Sequence, residues 1–424
     1  MIRFLKRNLN TLFHHLISLS SLVVGEPLFR LRGMRRGISL PELSQLGQIL
    51  VIRLDQIGDF VMTTPLLREL RKNAPQARIT LIVKPELHAL ASACPYVDEV
   101  LTFNSHTSTR FLDIRRPSRA LKFCVTHLWQ RRFNLAIIPR WDGDWYYQTF
   151  LAYFSGSRWR IGYSEDVTPI KQIHNRGYDR LLTHALHRNI LTHEVERNLA
   201  ILQELGGTVR QTEAEIWSTA ADDLWAQNWL EARNKPAGRP WIAVGPFAGN
   251  SALKRWPLQR FGQLGRWLIS VSGGHILILG GAGDQAEAHQ LCVDIGARTS
   301  NAAGQCSLPQ TIALLKHCSL YIGVDSGPMH LASAVGIPVI ALFGPSCPHR
   351  FQPWTPKKQV LWTQLPCSPC KIQDHADCCT VCIFAQPHCI QSITVEEVQE
   401  AVKKAVVLDH LFFLPASRQY DLLN

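Results

Sequence analysis

Short apolar runs alternate with amphipathic stretches along most of the chain. Runs rich in β-branched residues predict strands, and stretches whose apolar residues recur every three or four positions predict helices. In the first half, these patterns predict strands at 49–54, 79–84, 99–103 and 135–139 and helices at 65–73 and 86–94. In the second half, they predict strands at 241–245, 275–280, 320–324 and 339–343 and helices at 258–270, 284–295, 308–318 and 329–335.

This alternation predicts an α/β protein with two doubly wound units, each built on a parallel sheet. Gly206 and Gly207, with the polar stretch that follows, mark the expected boundary between the units. The predicted organisation is an N-terminal arm over 1–47, a first Rossmann-like domain over 48–206, a second over 207–405 and a tail over 406–424.

Composition excludes several classes of protein. The chain has 424 residues, 46% of them hydrophobic and 18% charged, which suits two domains with apolar cores. A disordered tail protein, a collagen and a small disulfide scaffold are therefore excluded. Six of the 12 cysteines lie between positions 367 and 389, and without an export signal the expected compartment is the cytosol.

The net charge of +12 is concentrated at the N-terminus, where residues 1–37 contain seven basic side chains and one acid. Apolar residues in the arm recur at helical spacing and face a polar side; they are Leu5, Leu9, Leu12, Phe13, Leu16 and Ile17, opposite Arg3, Arg7, Asn10 and His14. This pattern predicts an amphipathic basic helix that lies in a membrane interface. Two alternatives stay open, namely a helix packed on the protein's own body and an arm without stable structure.

The same arm is not expected to span a bilayer. Its apolar run at 16–24 is far shorter than the roughly 20 residues that spanning requires. His14 and His15 interrupt the helix, and no small-residue cleavage site follows the run.

Ligands of open parallel sheets bind beyond the carboxyl ends of the strands, so the loops after the predicted strands are the first places to search. Arg53 lies at the end of the first predicted strand, and Gly58 and Asp59 follow it. Glycine lets the backbone approach a ligand, and Asp59 is a candidate general base. The alternative is that Asp59 only caps the helix that begins beside it.

The loop after the strand at 241–245 contains Gly249, Asn250 and Lys254. The first two provide a flexible backbone and a small polar side chain, and a lysine here can bind a phosphate as a point charge. A solvated surface lysine is the alternative.

A third loop combines Asp325, Ser326 and Gly327, and His330 follows one helical turn later. A buried strand ends here in a small-residue turn that opens a helix, so backbone N–H groups and the positive end of the helix dipole can bind a phosphate. Asp325 would orient the loop or accept from a hydroxyl group. A purely structural turn is the alternative.

Two weaker candidates remain. Asp284 follows a glycine-rich turn at 280–283 and could accept a hydrogen bond from a ribose hydroxyl. The spacing of that turn is not Gly-x-Gly-x-x-Gly, which disfavours a hydride-transfer enzyme. Asp142 and Asp144 have the spacing of a metal-binding Asp-x-Asp, but acids at a turn have the same spacing.

Together these motifs resemble glycosyltransferase family nine, the ADP-heptose:lipopolysaccharide heptosyltransferases. The resemblance extends over about residues 48–405 and rests on three motifs in the family's order, Arg53 to Pro65, Lys254 to Pro257, and Asp325 to Ala332. Ser326 stands where the family more often has threonine, which keeps the hydroxyl group. The resemblance implies the GT-B architecture of two facing Rossmann-like domains.

The resemblance also implies an inverting transfer that needs no metal or other cofactor. The first domain would hold the acceptor and the second a nucleotide-sugar donor, expected to be ADP-heptose. Asp59 would accept the proton of the attacking hydroxyl group. Lys254 and the N–H groups at Ser326 and Gly327 would neutralise the departing ADP. His330 would brace the phosphate loop or contact the ligand.

The implied acceptor is a lipid-linked lipopolysaccharide core or similar glycan at the cytoplasmic face of the inner membrane. The expected partners are this glycan, the nucleotide-sugar donor and the anionic membrane surface, with no nucleic acid. The basic loop at 104–122 could bind acceptor phosphates or simply be solvated. The alternatives in function are a sugar-nucleotide epimerase of the same architecture and a non-catalytic glycan- or nucleotide-binding subunit.

The cysteine-rich segment at 367–389 contains two Cys-x2-Cys pairs, Cys367 with Cys370 and Cys379 with Cys382. Four thiolates at this spacing can close a tetrahedron around one ion, so a structural zinc is one interpretation. Disulfides and free thiols are the others.

Overall fold

The computed structural model describes residues 2–34, 37, 39–104, 115–188, 191–233, 238–249, 251–370 and 382–409. The chain forms two compact units that divide after Thr212. Each unit has its own parallel six-stranded sheet with helices. The class is the predicted α/β class.

The sheet of the first unit consists of β1 (Gln48–Arg53), β2 (Arg78–Val83), β3 (Glu99–Thr102), β4 (Leu135–Ile138), β5 (Trp159–Tyr163) and β6 (His184–Leu186). Its order is β3-β2-β1-β4-β5-β6, and all neighbours are parallel. Ile49 pairs with Ile79 of β2 on one side and with Leu135 of β4 on the other. β1 is therefore central, and its apolar side chains are almost entirely buried.

The helices of the first unit are α1 (Ile2–Leu31), α2 (Ile57–Val61), α3 (Thr64–Asn73), α4 (His88–Ser92), α5 (Arg115–Phe123), α6 (Gln148–Phe154), α7 (Pro169–His174) and α8 (Glu194–Glu204). Proline occupies the first turn of α3 and of α7, where its missing N–H is not needed. The Thr168 hydroxyl accepts the Lys171 N–H and so caps α7.

The second unit repeats this plan. Its strands are β7 (Trp241–Gly245), β8 (His275–Ile278), β9 (Thr299–Asn301), β10 (Cys318–Val324), β11 (Val339–Phe343) and β12 (Lys358–Trp362), in the order β12-β11-β10-β7-β8-β9. Its helices are α9 (Ala220–Glu231), α10 (Leu258–Ser272), α11 (Gln285–Ile295), α12 (Leu308–Lys316), α13 (Gly327–Val335), α14 (Pro348–Phe351), α15 (His388–Gln391) and α16 (Val395–Asp409).

Both sheets have the same winding, in which the first strand of the unit pairs with the second on one side and with the fourth on the other. The strand order reverses at that point, between β1 and β4 in the first unit and between β7 and β10 in the second. A crevice forms at such a switch point because the connections leave the sheet in opposite directions. Ligand chemistry is therefore expected in the loops after β1, β4, β7 and β10.

The first unit extends past the expected boundary at Gly206 and Gly207. The Thr208 N–H donates to Asn73 Oδ1 at 2.8 Å, and the Arg210 N–H donates to Glu69 Oε2 at 2.7 Å. These bonds hold the polar stretch after the glycines against α3, so the division falls a few residues later.

α1 is longer and more continuous than the apolar run at 16–24 suggested. It packs on α7 and on the turn at Tyr178–Leu181. His14, placed on the solvent side by its polarity, instead contacts Tyr178, with His14 Nδ1 3.0 Å from the phenol oxygen. The stretch Thr11–Leu31, of mean hydropathy 1.3, is long and apolar enough to cross a membrane, which the sequence argument had discounted. Since core helices and signal sequences can share these properties, this finding is weak evidence for spanning.

Candidate functional site

Arg53, the last residue of β1, gathers three carboxylates at the carboxyl end of the first sheet. Its Nη2 lies 3.3 Å from Asp59 Oδ1 and 3.3 Å from Glu194 Oε1, and its Nε lies 3.2 Å from Asp55 Oδ2. The Arg53 side chain is buried. A buried guanidinium group with three carboxylates around it neutralises them in part and limits their movement.

Asp59 is positioned by the short helix α2, in which it is the third residue. Its Oδ2 accepts the backbone N–H of Gln56 at 3.1 Å in a capping box. Gly58 is buried beside it in the same helix. Asp59 therefore does cap α2, which was the alternative interpretation of this residue. Its side chain is nevertheless 23% exposed, against 1% for Asp55, so the Asp59 carboxylate remains accessible to a ligand.

The pKa values of Asp55 and Asp59 are displaced in opposite directions. Burial raises the pKa of Asp59; Arg53 opposes this shift, and repulsion from the Asp55 and Glu194 carboxylates adds to it. Burial also disfavours ionised Asp55, but the guanidinium groups of Arg140 and Arg53 outweigh it and hold the Asp55 pKa below its ordinary value. Two carboxyl groups with separated pKa values can take different roles, one as a fixed charge and one as a proton acceptor.

Further cations complete this first cluster. Arg140 follows β4 and forms an ion pair with Asp55, to which Gln148 Nε2 also donates at 3.2 Å. Lys84 follows β2, and its buried ammonium lies 4.0 Å from the centre of the Tyr146 ring. The Tyr146 hydroxyl accepts from Gln56 Nε2 at 3.5 Å. The loops after β1, β2 and β4 therefore place both signs of charge around Asp59.

In the second unit, the loops after β7 and β10 meet through an ion pair. Lys254 Nζ, at the end of a short 3-10 turn, lies 2.6 Å from Asp325 Oδ2, one residue beyond β10. Asp325 is buried, whereas the Lys254 side chain is 24% exposed. Burial disfavours ionised Asp325, but Lys254 and then His330 outweigh it and lower the Asp325 pKa. A carboxylate thus holds this lysine at the switch point of the second sheet.

The phosphate-type turn predicted at 325–330 has the expected backbone form. Ser326 is the N-cap of α13, Gly327 is its first residue, and the Ser326 hydroxyl donates to the Val324 carbonyl at 3.2 Å. The first N–H groups of a helix have no acceptor within it. His330 is buried, with Nε2 3.8 Å from Asp325 Oδ1. Burial lowers its pKa to about 4 against the attraction of Asp325, so the imidazole is neutral at pH 7.

The other candidate residues of the second unit make contacts that do not involve the Lys254–Asp325 ion pair. Asp284 Oδ2 accepts the Gly281 N–H at 2.9 Å, and Asp284 Oδ1 lies 3.1 Å from Arg255 Nη2. Trp256 is fully buried and donates from Nε1 to the Ile393 carbonyl at 2.8 Å. Gly249 has a positive φ of +47°, which glycine adopts without strain. Asn250 lies outside the described residues.

The remaining metal candidates have structural contacts or fall outside the description. Asp144 Oδ1 and Oδ2 accept the N–H groups of Gln148 and Thr149 at 2.9 and 2.8 Å, so this carboxylate is occupied by the first two N–H groups of α6. Cys367 and Cys382 are free thiols, Cys370 is the last residue described before the gap at 371–381, and Cys379 lies outside the described residues. Among the residues that the structure describes, no group of three or more His, Cys, Asp or Glu side chains could hold a metal ion, so the zinc interpretation has no support.

Sequence reasoning missed Asp55, Lys84, Arg140 and Glu194 as members of the first cluster. Lys84 and Arg140 carried a usable signal, because Lys84 ends one predicted strand and Arg140 directly follows another. Asp55 stood inside the motif that drew attention to Asp59. Glu194 had no such signal, since it lies 141 residues from Arg53 along the chain.

Comparison with known proteins places the chain in a family. The model of glycosyltransferase family 9 (heptosyltransferase) matches residues 144–379, more than half of the chain. This range contains Lys254 and Asp325 but not Asp59. Lipopolysaccharide heptosyltransferase 3 of Escherichia coli K12 is 25% identical over 321 residues, which cover 72% of this chain and 85% of that protein.

Solved structures share the fold. A glycosyl transferase of family 9 from Veillonella parvula has a TM-score of 0.70 and 21% identity, covering 87% of this chain and 99% of that one. The E. coli ADP-heptose lipopolysaccharide heptosyltransferase II has a TM-score of 0.63 and 21% identity, covering 86% and 99%. Both sheets thus have the arrangement of the GT-B fold that the sequence resemblance implied. On the family match and this fold, the chain belongs to glycosyltransferase family 9 and is a glycosyltransferase.

Proposed function

We propose that this enzyme transfers a heptose from ADP-heptose to a lipopolysaccharide core or a closely related glycan, with inversion at the anomeric carbon. The observation that carries the proposal is Asp59, a partly exposed carboxylate of raised pKa at the switch point of the first sheet, in a chain of this family. The names of the relatives supply the sugar and the acceptor class.

The donor would bind in the second unit. Lys254 and the N-terminus of α13 offer positive charge where a diphosphate would lie. Asp325 would hold Lys254 in place, and the buried His330 imidazole beside Asp325 would brace the loop. Ser326 and Gly327 would donate backbone N–H groups to the phosphate oxygens, and Asp284 would accept from the ribose.

The acceptor would bind in the first unit, where Asp59 would act as the general base. As an acceptor hydroxyl oxygen attacks the anomeric carbon, its proton would pass to Asp59 and the bond from that carbon to the diphosphate oxygen would break. The departing ADP would take the electron pair, and Lys254 would stabilise its charge. One displacement inverts the configuration.

Fixed cations can replace a metal in this reaction. A glycosyltransferase must stabilise the negative charge that develops on the diphosphate, and the ammonium of Lys254 together with the dipole of α13 can supply that stabilisation. We therefore propose that turnover needs no divalent cation. Transfer should persist when a chelator is present.

We also propose that the enzyme works at the cytoplasmic face of the inner membrane, because its acceptor would be lipid-linked. The basic N-terminal arm supports this location, since anionic lipid head groups attract clustered lysine and arginine residues.

Nucleotide binding and product analysis test the proposal together. ADP should stabilise the protein against heat while UDP and GDP should not, since a ligand at 100 times its Kd adds about 2.7 kcal/mol. ADP release from ADP-heptose should depend on added acceptor. Release of an epimerised nucleotide sugar without acceptor would favour the epimerase, and ADP binding without any turnover would favour a silent binding subunit.

A further inference from the structure

α1 exposes large apolar side chains on the side that faces away from the rest of the first unit. Its fully buried positions are Ser18, Ser21, Gly25 and Phe29, and the partly buried Ile17, Leu22 and Leu28 pack against the core of the unit. Its outward face has large apolar side chains, and Leu12, Leu16 and Val23 are 53%, 54% and 75% exposed. A helix surrounded by water on its outer side normally shows the opposite arrangement. The outer face of α1 therefore suits an apolar environment.

The inward face fits closely against the first unit. A Cβ atom on Gly25 would lie 2.5 Å from the Tyr153 ring, so only glycine allows this approach. Phe29 packs edge-to-face on Tyr153, with the ring centres 5.1 Å apart. The hydroxyl groups of Ser18 and Ser21 donate to carbonyls of α1 itself, at 2.8 Å in each case. The serine side chains thus need no partner outside the helix, and the contacts of Gly25 and Phe29 with Tyr153 hold α1 against the rest of the first unit.

The exposed apolar side chains follow a regular spacing in the sequence. Leucine or valine occurs at positions 5, 9, 12, 16, 19 and 23, of which 12, 16, 19 and 23 are exposed. Lysine and arginine are absent from residues 8–29 and cluster on both sides of that stretch, at Arg3, Lys6, Arg7, Arg30, Arg32, Arg35 and Arg36. The arm thus has an apolar middle with basic ends.

This charge pattern indicates whether the apolar face binds a second copy of the chain or a lipid surface. The same spacing would also suit a coiled coil with a second copy, but two such helices would bring like charges together. Glu26, the one acid in residues 1–37, is already within 3.4 Å of the Tyr153 hydroxyl. Anionic lipid head groups instead complement the basic ends, and the acyl region accepts the apolar stripe.

We propose that α1 is a monotopic membrane anchor, lying along the bilayer surface with Leu12, Leu16, Leu19 and Val23 in the acyl region and its small-residue face bound to the first unit. A spanning helix would have lipid on all sides, whereas α1 has protein along one side. The anchor thereby fixes how the first unit faces the membrane. This inference deepens the proposed membrane location and rests on it, but it does not depend on the sugar transferred.

Vesicle sedimentation of the full-length protein tests the inference. Wild type should pellet with phosphatidylethanolamine–phosphatidylglycerol vesicles and much less with phosphatidylcholine vesicles. A triple variant, Leu12→Ser, Leu16→Ser and Val23→Ser, should lose at least about tenfold in partitioning, because three apolar side chains no longer enter the acyl region. Neutralising Arg3, Lys6 and Arg30 by glutamine should reduce binding to the anionic vesicles only.

Matched controls separate the outcomes. Leu224→Ser with Val293→Ser removes two exposed apolar side chains from the second unit and should leave partitioning unchanged. The triple variant should melt as wild type does, since its altered side chains are exposed. Equal pelleting of the triple variant would overturn the anchor. A wild-type dimer that the triple variant dissociates, with no vesicle binding, would overturn it in favour of a second copy.

Transfer to a deacylated, water-soluble acceptor distinguishes this inference from the proposed function. The triple variant should retain that activity while it loses vesicle binding. A wild-type protein that pellets correctly but transfers no sugar would refute the proposed function and leave the anchor intact.

Discussion

Lys254 Nζ lies 2.6 Å from Asp325 Oδ2, and this ion pair joins the loops that follow the first and fourth strands of the second sheet. Asp325 is buried, and Lys254 lowers its pKa, so the carboxylate stays ionised and fixes the position of the Lys254 ammonium. A diphosphate that binds there would share the ammonium with Asp325. The pair is therefore both a structural contact and part of the proposed donor site.

Lys254→Met should weaken ADP binding by about 10- to 100-fold, because a charge-assisted hydrogen bond is lost. It should also lower the free energy of unfolding by about 1–3 kcal/mol, since Asp325 is left buried without its cation. Calorimetry with ADP and urea unfolding measure the two effects. Adding Asp325→Asn should recover stability but not ADP affinity.

Lys316→Met is the matched control, because Lys316 pairs with Asp223 on the surface at 3.0 Å. It should change stability by less than about 1 kcal/mol and leave ADP binding as it was. ADP affinity unchanged in Lys254→Met would refute the donor assignment.

Asp59→Asn should reduce turnover by about 10²- to 10⁴-fold, the range for loss of a general base. ADP affinity should be retained, since the residue is assigned to proton transfer. Folding favours the protonated form of a carboxyl group with a raised pKa, so ionised Asp59 costs stability at neutral pH. The variant should therefore unfold at pH 7 with the same or a higher free energy.

Steady-state kinetics and urea unfolding together check this prediction. The control Asp166→Asn alters an exposed carboxylate of the same unit and should leave turnover unaffected. If Asp59→Asn kept near-normal turnover, the base would have to be another residue.

The acid limb of the kcat/KM profile should lie above the ordinary aspartate pKa of 3.8, because ionised Asp59 is the active form. Activity should fall as pH drops through the raised value. Asp55→Asn removes a neighbouring negative charge that raises the Asp59 pKa, so the acid limb should move to lower pH. A limb that stayed in place in this variant would show that another group controls it.

Acid should destabilise the second unit through His330. The folded pKa of His330, about 4, lies below the ordinary value of 6.5. Its contribution to the free energy of unfolding is therefore complete above the ordinary value and declines as pH falls toward the folded value. Between about pH 7 and about pH 5, the free energy of unfolding should fall by about 2 kcal/mol. His330→Asn should remove this portion of the pH dependence, as measured by urea unfolding at each pH.

Exposed His187 provides the control for that experiment. His187→Asn should keep the wild-type slope of stability against pH. A slope that His330→Asn left unaltered would mean that other groups account for it.

Gly245→Ala should destabilise the protein by about 1–3 kcal/mol, the usual cost of overpacking. A Cβ atom at this last residue of β7 would overlap the phenol oxygen of buried Tyr321. Because Tyr321 belongs to β10, which leads into the Asp325 loop, ADP affinity should also fall several-fold. Gly283→Ala, with no atom within 4 Å of its added Cβ, should stay within about 0.5 kcal/mol of wild type.

Periodicity along the chain predicted the main strands because it reflects local burial. The expected strand at 49–54 agrees with β1 to within one residue at each end, and that at 241–245 agrees with β7 fully. Four strands were missed, namely β5 and β12, of five residues each, and β6 and β9, of three residues each. Three residues are too few to show a period, so the pairing of β6 and β9 depends on the rest of the sheet.

The sequence also identified residues that can carry chemistry, such as Asp59 and Lys254, because loops after parallel strands are recognisable from local pattern alone. It could not reveal that Glu194 lies beside Arg53, that Asp325 binds Lys254, or that Gly25 packs against Tyr153. Those relationships join residues far apart in the chain. Contact, burial and the resulting pKa shifts depend on distances in space, which arise only when the sheets are wound and their helices packed.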